Sequence, residues 1–324
     1  MKIISILIMS ILIFTCFEIL TASQSILDAV SFALYIFKNN IFPSLFPFFV
    51  LSQLMIKYGF VELIGNLCRP IMNKLFKIKS SAAFIFVMSI ISGNPANAKY
   101  TKELLKNGDI NEFEATKILC FTCFSSPLFI LGTVSLMFLN NKEVGLLILL
   151  CHYLGNIIVG LLIRNYHASK QENNKVSFKY AINKMHEKRI SNKETFGTIV
   201  TTSLISSINT LLLILGVITI CLVITTIIDN NINLNSVLQS ILNGFIEMTS
   251  GIKYISMEDI PLKLKCILTV MILSFGGFSI HMQIVSIISD TKIKYFPFLV
   301  CRIIHSIISG LLMFFTFDAW INFF

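Results

Sequence analysis

The feature that most constrains this chain is the recurrence of apolar runs long enough to cross a bilayer. A crossing helix needs about 17–25 such residues. The sequence offers runs at 3–22, 41–57, 143–165, 209–228 and 297–319, and a pair at 113–124 and 127–139 joined through Ser125, Ser126 and Pro127. Hydrophobic residues make up 55% of the 324, charged residues only 13%, and the mean hydropathy is +0.80. Soluble domains carry about 25% charged residues, and a soluble fold of this length could not hide so much apolar surface. The chain therefore reads as an all-α integral membrane protein with about six spanning helices, because only self-satisfied backbone crosses lipid.

Charge sets the expected orientation. The net charge of +9 is concentrated between the apolar runs. Arg69, Lys74, Lys77 and Lys79 follow one span, and a polar connector at 166–195 carries Lys170, Lys175, Lys179, Lys184, Lys188, Arg189 and Lys193 against Glu172, Glu187 and Glu194. Basic loops stay on the cytoplasmic side, which places both stretches and the N-terminus on the cytoplasmic face of the cell membrane. No basic face interleaved with aromatic residues points to nucleic acid. Residues 3–22 read as a first transmembrane helix rather than a cleaved signal, since the small-residue cleavage pattern after them is poor. Cys120 and Cys123 form one C-x-x-C without a second pair, so they read as core rather than as a metal site. The sequence contains no phosphate-binding loop, dinucleotide fingerprint, H-E-x-x-H or nucleophile elbow. A non-enzymatic protein with neither cofactor nor metal is expected. Glu18, Glu143, Glu247 and Asp318 read as anchors near span ends.

Two places break the apolar pattern. "SIISGNPANAKYTKELLKNGD" (89–109) interrupts a run at Gly93, Asn94 and Pro95, which suggests a re-entrant hairpin over 81–107. A second Gly-broken hairpin is expected over 262–290, around "SFGGFSIHMQ". An offset of 183 residues would lay Gly93 on Gly276 and Ser126 on Ser309, with a single connecting helix between the copies. An odd connector inverts the second copy. The expected organisation is then 1–40 (first helix and connection), 41–139 (first repeat), 140–195 (connecting helix and basic loop) and 196–324 (second repeat). In inverted repeats, substrate sits at broken helices near the midplane, and freed backbone groups survive there only inside protein or a wet cavity. The candidate substrate-binding residues are Gly93, Asn94, Pro95, Asn97, Lys99, Ser125, Ser126, Pro127, Gly276, Gly277, Ser279, His281, Gln283, His305 and Ser309. Tight turns that only let helices pack would give the same pattern.

The stretches "LFPFFVLSQLMIKYGF", "SGNPANAK", "FSSPLFILG" and "LSFGGFSIHMQIVSII", in that order, resemble the YlbJ-type sporulation integral membrane proteins. These belong to the wider group with a nucleoside-recognition, or Gate, domain, also present in spore maturation proteins, concentrative nucleoside transporters and ferrous iron transporters. The resemblance runs from about residue 40 to 320. It implies an endospore former, a role in spore cortex formation, two Gate-like repeats and a transporter-like core that binds or moves an unknown small solute. The implied partners are the bilayer, that solute, and other spore membrane proteins or a second copy. Asn94 and Asn97 stand where the family pattern has an aromatic residue and a glycine, and Cys123 and Phe124 where it has asparagines. A small-solute transporter outside sporulation and a non-transporting scaffold are the alternative readings.

Overall fold

The computed structural model describes residues 2–168 and 177–323, and all of its regular elements are helices. Six helices among the described residues are long and apolar enough to cross a membrane: Ile4–Thr21, Ser23–Lys57, Lys142–Leu162, Phe196–Asn231, Leu262–Ile288 and Tyr295–Ile321. The first is almost wholly exposed, and Leu20 and Phe315 are among many large apolar side chains on the outer surface. Such a surface suits lipid tails, which are as apolar as the side chains themselves.

After the helix Ser23–Lys57, the chain builds a motif that occurs twice. The first copy is a hairpin (Ala82–Ser92 and Ala96–Lys106), a broken span (Glu112–Phe121, then Phe129–Phe138) and a closing helix (Lys142–Leu162). After the helix Phe196–Asn231, the second copy repeats it with a hairpin (Ser236–Ile246 and Met248–Met257), a broken span (Leu262–Phe275, then Gly277–Ile288) and a closing helix (Tyr295–Ile321). An offset of 153 carries His152 onto His305 and brings each element onto its counterpart within a few residues.

The contacts at the two ends of the bundle show that the copies are inverted. At the basic end, Lys102 and Lys106 each meet Asp290 at 2.7 Å, Lys117 Nζ donates to the Arg164 carbonyl at 2.6 Å, and Lys57 pairs with Glu194 at 3.1 Å. This end therefore holds the open side of the first hairpin. At the opposite end, Ser236 bonds Glu258 at 2.8 Å, Trp320 Nε1 donates to the Glu143 carbonyl at 3.0 Å, and Lys263 meets Asp318 at 2.5 Å. That end holds the open side of the second hairpin.

Local chemistry explains the breaks. Gly93 closes the helix Ala82–Ser92 at φ 80°, ψ −174°, a region that is essentially glycine-only. A Cβ there would lie 2.5 Å from the Ser126 backbone nitrogen, so glycine lets the hairpin tip touch the broken span. Asn111 starts the broken span with a reciprocal capping box, accepting from Phe113 and Glu114 N–H while Glu114 accepts from its own. That satisfies helix donors that would otherwise be orphaned. Gly276 ends the helix Leu262–Phe275 at φ 93°.

The structure corrects the expected arrangement in three places. Residues 262–290 are not a hairpin: Gly276 and Gly277 break a helix that runs on to the basic end, and the second hairpin is Ser236–Met257, turning at Glu247 without a glycine. The offset is accordingly 153, not 183. Ser309 and Gly310 lie inside the unbroken helix Tyr295–Ile321, so no second Ser-broken span exists there. The basic connector contains the helix Phe178–Ser191, whose Lys188 reaches Glu62 and Asp109. The expected connector charges Lys170, Glu172 and Lys175 lie outside the described residues.

Candidate functional site

Both hairpin tips and both broken spans converge on one cavity. It is lined by Ser92 and Asn94 of the first tip, Ser125, Ser126 and Phe129 of the first broken span, and Glu247, Met248 and Thr249 of the second tip. Ser279, Ile280 and Gln283 of the second broken span complete it, with Asn40, Ser44, Ile214 and Ile218 from the two long helices. About 60 Å³ of it can take the centre of a water-sized sphere, room for about four to six waters. A few waters or an ion fit, whereas a ring-sized solute would require the tips to part.

The polarity of this cavity is unspent. Gln283 is fully buried, Ser279 and Ser125 nearly so. Both amide atoms of Gln283, and the hydroxyls of Ser125 and Ser279, have no hydrogen-bonding partner in the protein. A buried polar group left in that condition costs about 1–3 kcal/mol, so several in one place point to a site that meets water or a ligand. Ser126 is partly engaged, its Oγ lying 3.2 Å from Ser44 Oγ and accepting from Phe129 N–H. Residues of the first turns of the two outgoing half-helices, Phe129 and then Ser279 and Ile280, line the cavity, and a helix N-terminus favours negative charge or carbonyl oxygen. Glu247 is 1% exposed and caps its helix by accepting from Ser250 N–H at 2.8 Å. Among the described residues no Lys, Arg or His pairs with it.

Behind the cavity lies a buried hub. Arg302, fully buried, donates to the carbonyls of Cys120 (2.5 Å) and Cys123 (3.3 Å) and to Asn156 Oδ1 (2.8 Å). It also donates to His305 Nδ1 at 2.9 Å. Because Nδ1 accepts, the remaining His305 N–H sits on Nε2 and donates to the His152 carbonyl at 2.7 Å. In the same way His152 Nε2 accepts from Ser125 N–H at 2.9 Å, leaving Nδ1–H for Ser274 Oγ at 2.9 Å. Among the described residues no carboxylate pairs with Arg302. Its charge is met by the carbonyl end of the half-helix Glu112–Phe121, where the helix dipole is negative. The hub thus ties the first broken span to both closing helices and, through Ser274, to the second.

Of the residues singled out in the sequence, Asn94, Ser125, Ser126, Ser279 and Gln283 meet at the cavity, with Gly93, Pro95, Pro127, Gly276 and Gly277 forming the breaks that bring them there. The others lie elsewhere. Asn97 is fully buried in the first turn of the hairpin's second helix, with both amide atoms unpaired. Lys99 lies with its Nζ 4.7 Å from the centre of the Phe49 ring and lines a separate polar recess toward the basic end with Gln53, Lys102 and Glu103. His281 is held by Tyr295 Oη at 2.8 Å and the Phe275 carbonyl at 3.1 Å. His305 belongs to the hub, and Ser309 packs against Gly155. Sequence reasoning missed Arg302, Asn156, His152 and Ser274, and took Glu247 for an anchor at a span end. An arginine or carboxylate within an apolar run is a functional candidate on its own, and that signal was present for both.

A family model described as nucleoside recognition (Gate) matches residues 39–142, from the end of the helix Ser23–Lys57 through the first hairpin and the first broken span, stopping where the closing helix Lys142–Leu162 begins. The chain is 33% identical over 331 residues to the sporulation integral membrane protein YlbJ of Bacillus subtilis (strain 168), covering 94% of this chain and 81% of that protein. No solved structure matches.

Proposed function

The chain belongs to the family of the sporulation integral membrane protein YlbJ, and from that membership and the cavity we propose that it moves a small solute across a membrane during spore formation. The observation that carries the reading is the cavity: four chain breaks from two inverted copies meet there, with buried amides and hydroxyls that the protein leaves unpaired. An inverted repeat supplies two related arrangements of one site, open to one side or the other, which is how alternating access operates. The Gate match over the first hairpin and first broken span makes a nucleoside-like solute the first class to assay. The step would serve formation of the spore cortex, with the basic end and the N-terminus in the cytoplasm of the cell whose membrane holds the protein. The protein carries its cargo unchanged rather than acting as an enzyme.

The experiment compares the yield of heat-resistant spores from a deletion strain rescued by wild type with that from the strain rescued by an Asn94→Leu/Ser126→Ala variant shown to insert normally. Failure of the variant is expected. Equal rescue by both would favour a scaffold, and a deletion without effect on spore yield would contradict the sporulation reading.

A further inference from the structure

A second hollow, apart from the cavity between the hairpin tips, opens toward the basic end of the bundle. It leaves about 460 Å³ to the centres of water-sized spheres, against about 60 Å³ between the tips. Three lysines of the helix Ala96–Lys106 line it: Lys99, Lys102 and Lys106. Their spacing of three and four residues sets them along one face of that helix. Gln53 and Glu103 stand beside them, and Ser206 and Asn209 of the helix Phe196–Asn231 add a hydroxyl and an amide.

The charges here do not cancel. Lys102 and Lys106 share a single carboxylate, Asp290, at 2.7 Å each, and Lys102 also donates to the Ile287 carbonyl at 2.8 Å. Glu103 accepts from Gln53 Nε2 at 2.6 Å. Three ammonium groups thus face two carboxylates, and the unmet charge falls on Lys99. That residue is 7% exposed, and its Nζ has no hydrogen-bonding partner. The Phe49 ring beneath it, 4.7 Å away, returns about 0.5–2 kcal/mol, less than the several kcal/mol that drying an ammonium costs. A purely structural lysine would meet the carboxylate one turn on. Glu103 attracts it through space but bonds to Gln53.

We propose that this recess binds a phosphate-bearing anion, with Lys99 as its central ligand and Lys102 and Lys106 at its rim. Lysine carries a compact charge on a flexible stem, so Lys99 can leave the Phe49 ring for an anion that enters the recess. Lysine binds phosphate in this way as a point charge. A positive hollow whose walls are partly apolar, here Leu213 and Ile287, also focuses its field and concentrates anions. The space exceeds one phosphate group and leaves room for an organic part. A soluble phosphate ester and the headgroup of an anionic lipid present the same chemistry, and the test separates them. The site lies apart from the proposed solute cavity and does not rest on the transport reading.

The test uses the full-length protein in an uncharged detergent at fixed pH and ionic strength, with its unfolding temperature as the readout. In one arm, inorganic phosphate or adenosine monophosphate replaces chloride, and adenosine is the control that lacks the phosphate. In the other, dihexanoyl phosphatidylglycerol is added, and dihexanoyl phosphatidylcholine is the control without net charge. Binding raises the unfolding temperature in proportion to RT ln(1 + [L]/Kd). A rise in the first arm assigns a soluble phosphate, and a rise in the second alone assigns a lipid headgroup. Lys99→Met keeps the bulk of the stem, removes an unmet charge, and raises Kd at least about tenfold. Asp290→Asn releases Lys102 and Lys106 and lowers Kd by about two- to fivefold. If Lys99→Met does not fold, the exposed Lys106→Gln serves in its place and raises Kd by about two- to fivefold. The proposal is overturned if neither arm raises the unfolding temperature above its control. It is equally overturned if the rise is unchanged in Lys99→Met or, where that variant is unfolded, in Lys106→Gln.

Discussion

His305 donates through Nε2 to the backbone carbonyl of His152 at 2.7 Å, across exactly the interval of 153 residues that separates the two helical copies. Equivalent residues of the two copies thus touch at the pseudo-symmetry axis, where Arg302 joins them. A membrane protein has no hydrophobic force between its helices, so close packing and interhelical hydrogen bonds must hold them. The hub supplies the bonds. Gly155, whose Cβ would lie 2.3 Å from Ser309 Oγ, supplies the close approach of the closing helices.

Arg302→Met should destabilise the protein by about 3–5 kcal/mol, because the carbonyls of Cys120 and Cys123 and the Asn156 amide lose their donor in a dry interior. Arg302→Lys keeps the charge but not the planar fork, and should fall between wild type and Met. Chemical unfolding in mixed micelles measures both. A loss below about 1 kcal/mol for Met would show that the hub does not hold the copies together.

Gly93→Ala should cost about 2–4 kcal/mol, combining an unfavourable backbone region with a forced shift of the broken span. The obstructing atom is the Ser126 backbone nitrogen at 2.5 Å. Shortening that side chain with Ser126→Gly should therefore not rescue the variant. Recovery of the wild-type unfolding temperature in the double variant would contradict the close approach.

At the basic end, hydrogen bonds from Lys102 and then Lys106 hold the Asp290 carboxyl well below the usual carboxylate range. A depressed acid stabilises the fold above its unfolded pKa, near about 3.9, and loses that contribution as pH falls through the folded value. Asp290→Asn should therefore speed amide exchange over 96–106 by about two- to fivefold at low salt, equally at pH 6 and pH 8. The difference should shrink in high salt, where exposed pairs are screened. Hydrogen exchange resolved by mass spectrometry reads this directly, and a difference that grows in salt would contradict the pairing.

The sequence made some of this architecture legible and concealed the rest for physical reasons. Gly93–Asn94–Pro95 and Ser125–Ser126–Pro127 stand out because polar and helix-breaking residues interrupt long apolar runs, and both breaks occur where expected. The second hairpin was hidden because Ser236–Ile246 and Met248–Met257 are each too short to register as a crossing, and their turn contains neither glycine nor proline. Gly276 and Gly277 drew the hairpin assignment instead, although a glycine pair also interrupts a span that continues in the same direction. That misplacement set the offset to 183, and the matched histidines His152 and His305 carried the correct one. Cavity membership was legible only where a break and a polar side chain coincide. His281 and Lys99 sit on the right segments but turn toward Tyr295 and Phe49, a choice that only packing decides.

The measurement that tests the account most directly pairs stability with function in Gln283→Leu. Neither amide atom of Gln283 has a partner, so an apolar residue of similar size should leave the unfolding temperature unchanged or raise it. This well-folded variant, expressed in place of the wild-type protein, is expected to lower the yield of heat-resistant spores by about two- to tenfold, the range for one lost hydrogen bond to a bound solute. Normal spore yield from a variant of equal or greater stability would contradict a working cavity at the meeting point of the two copies.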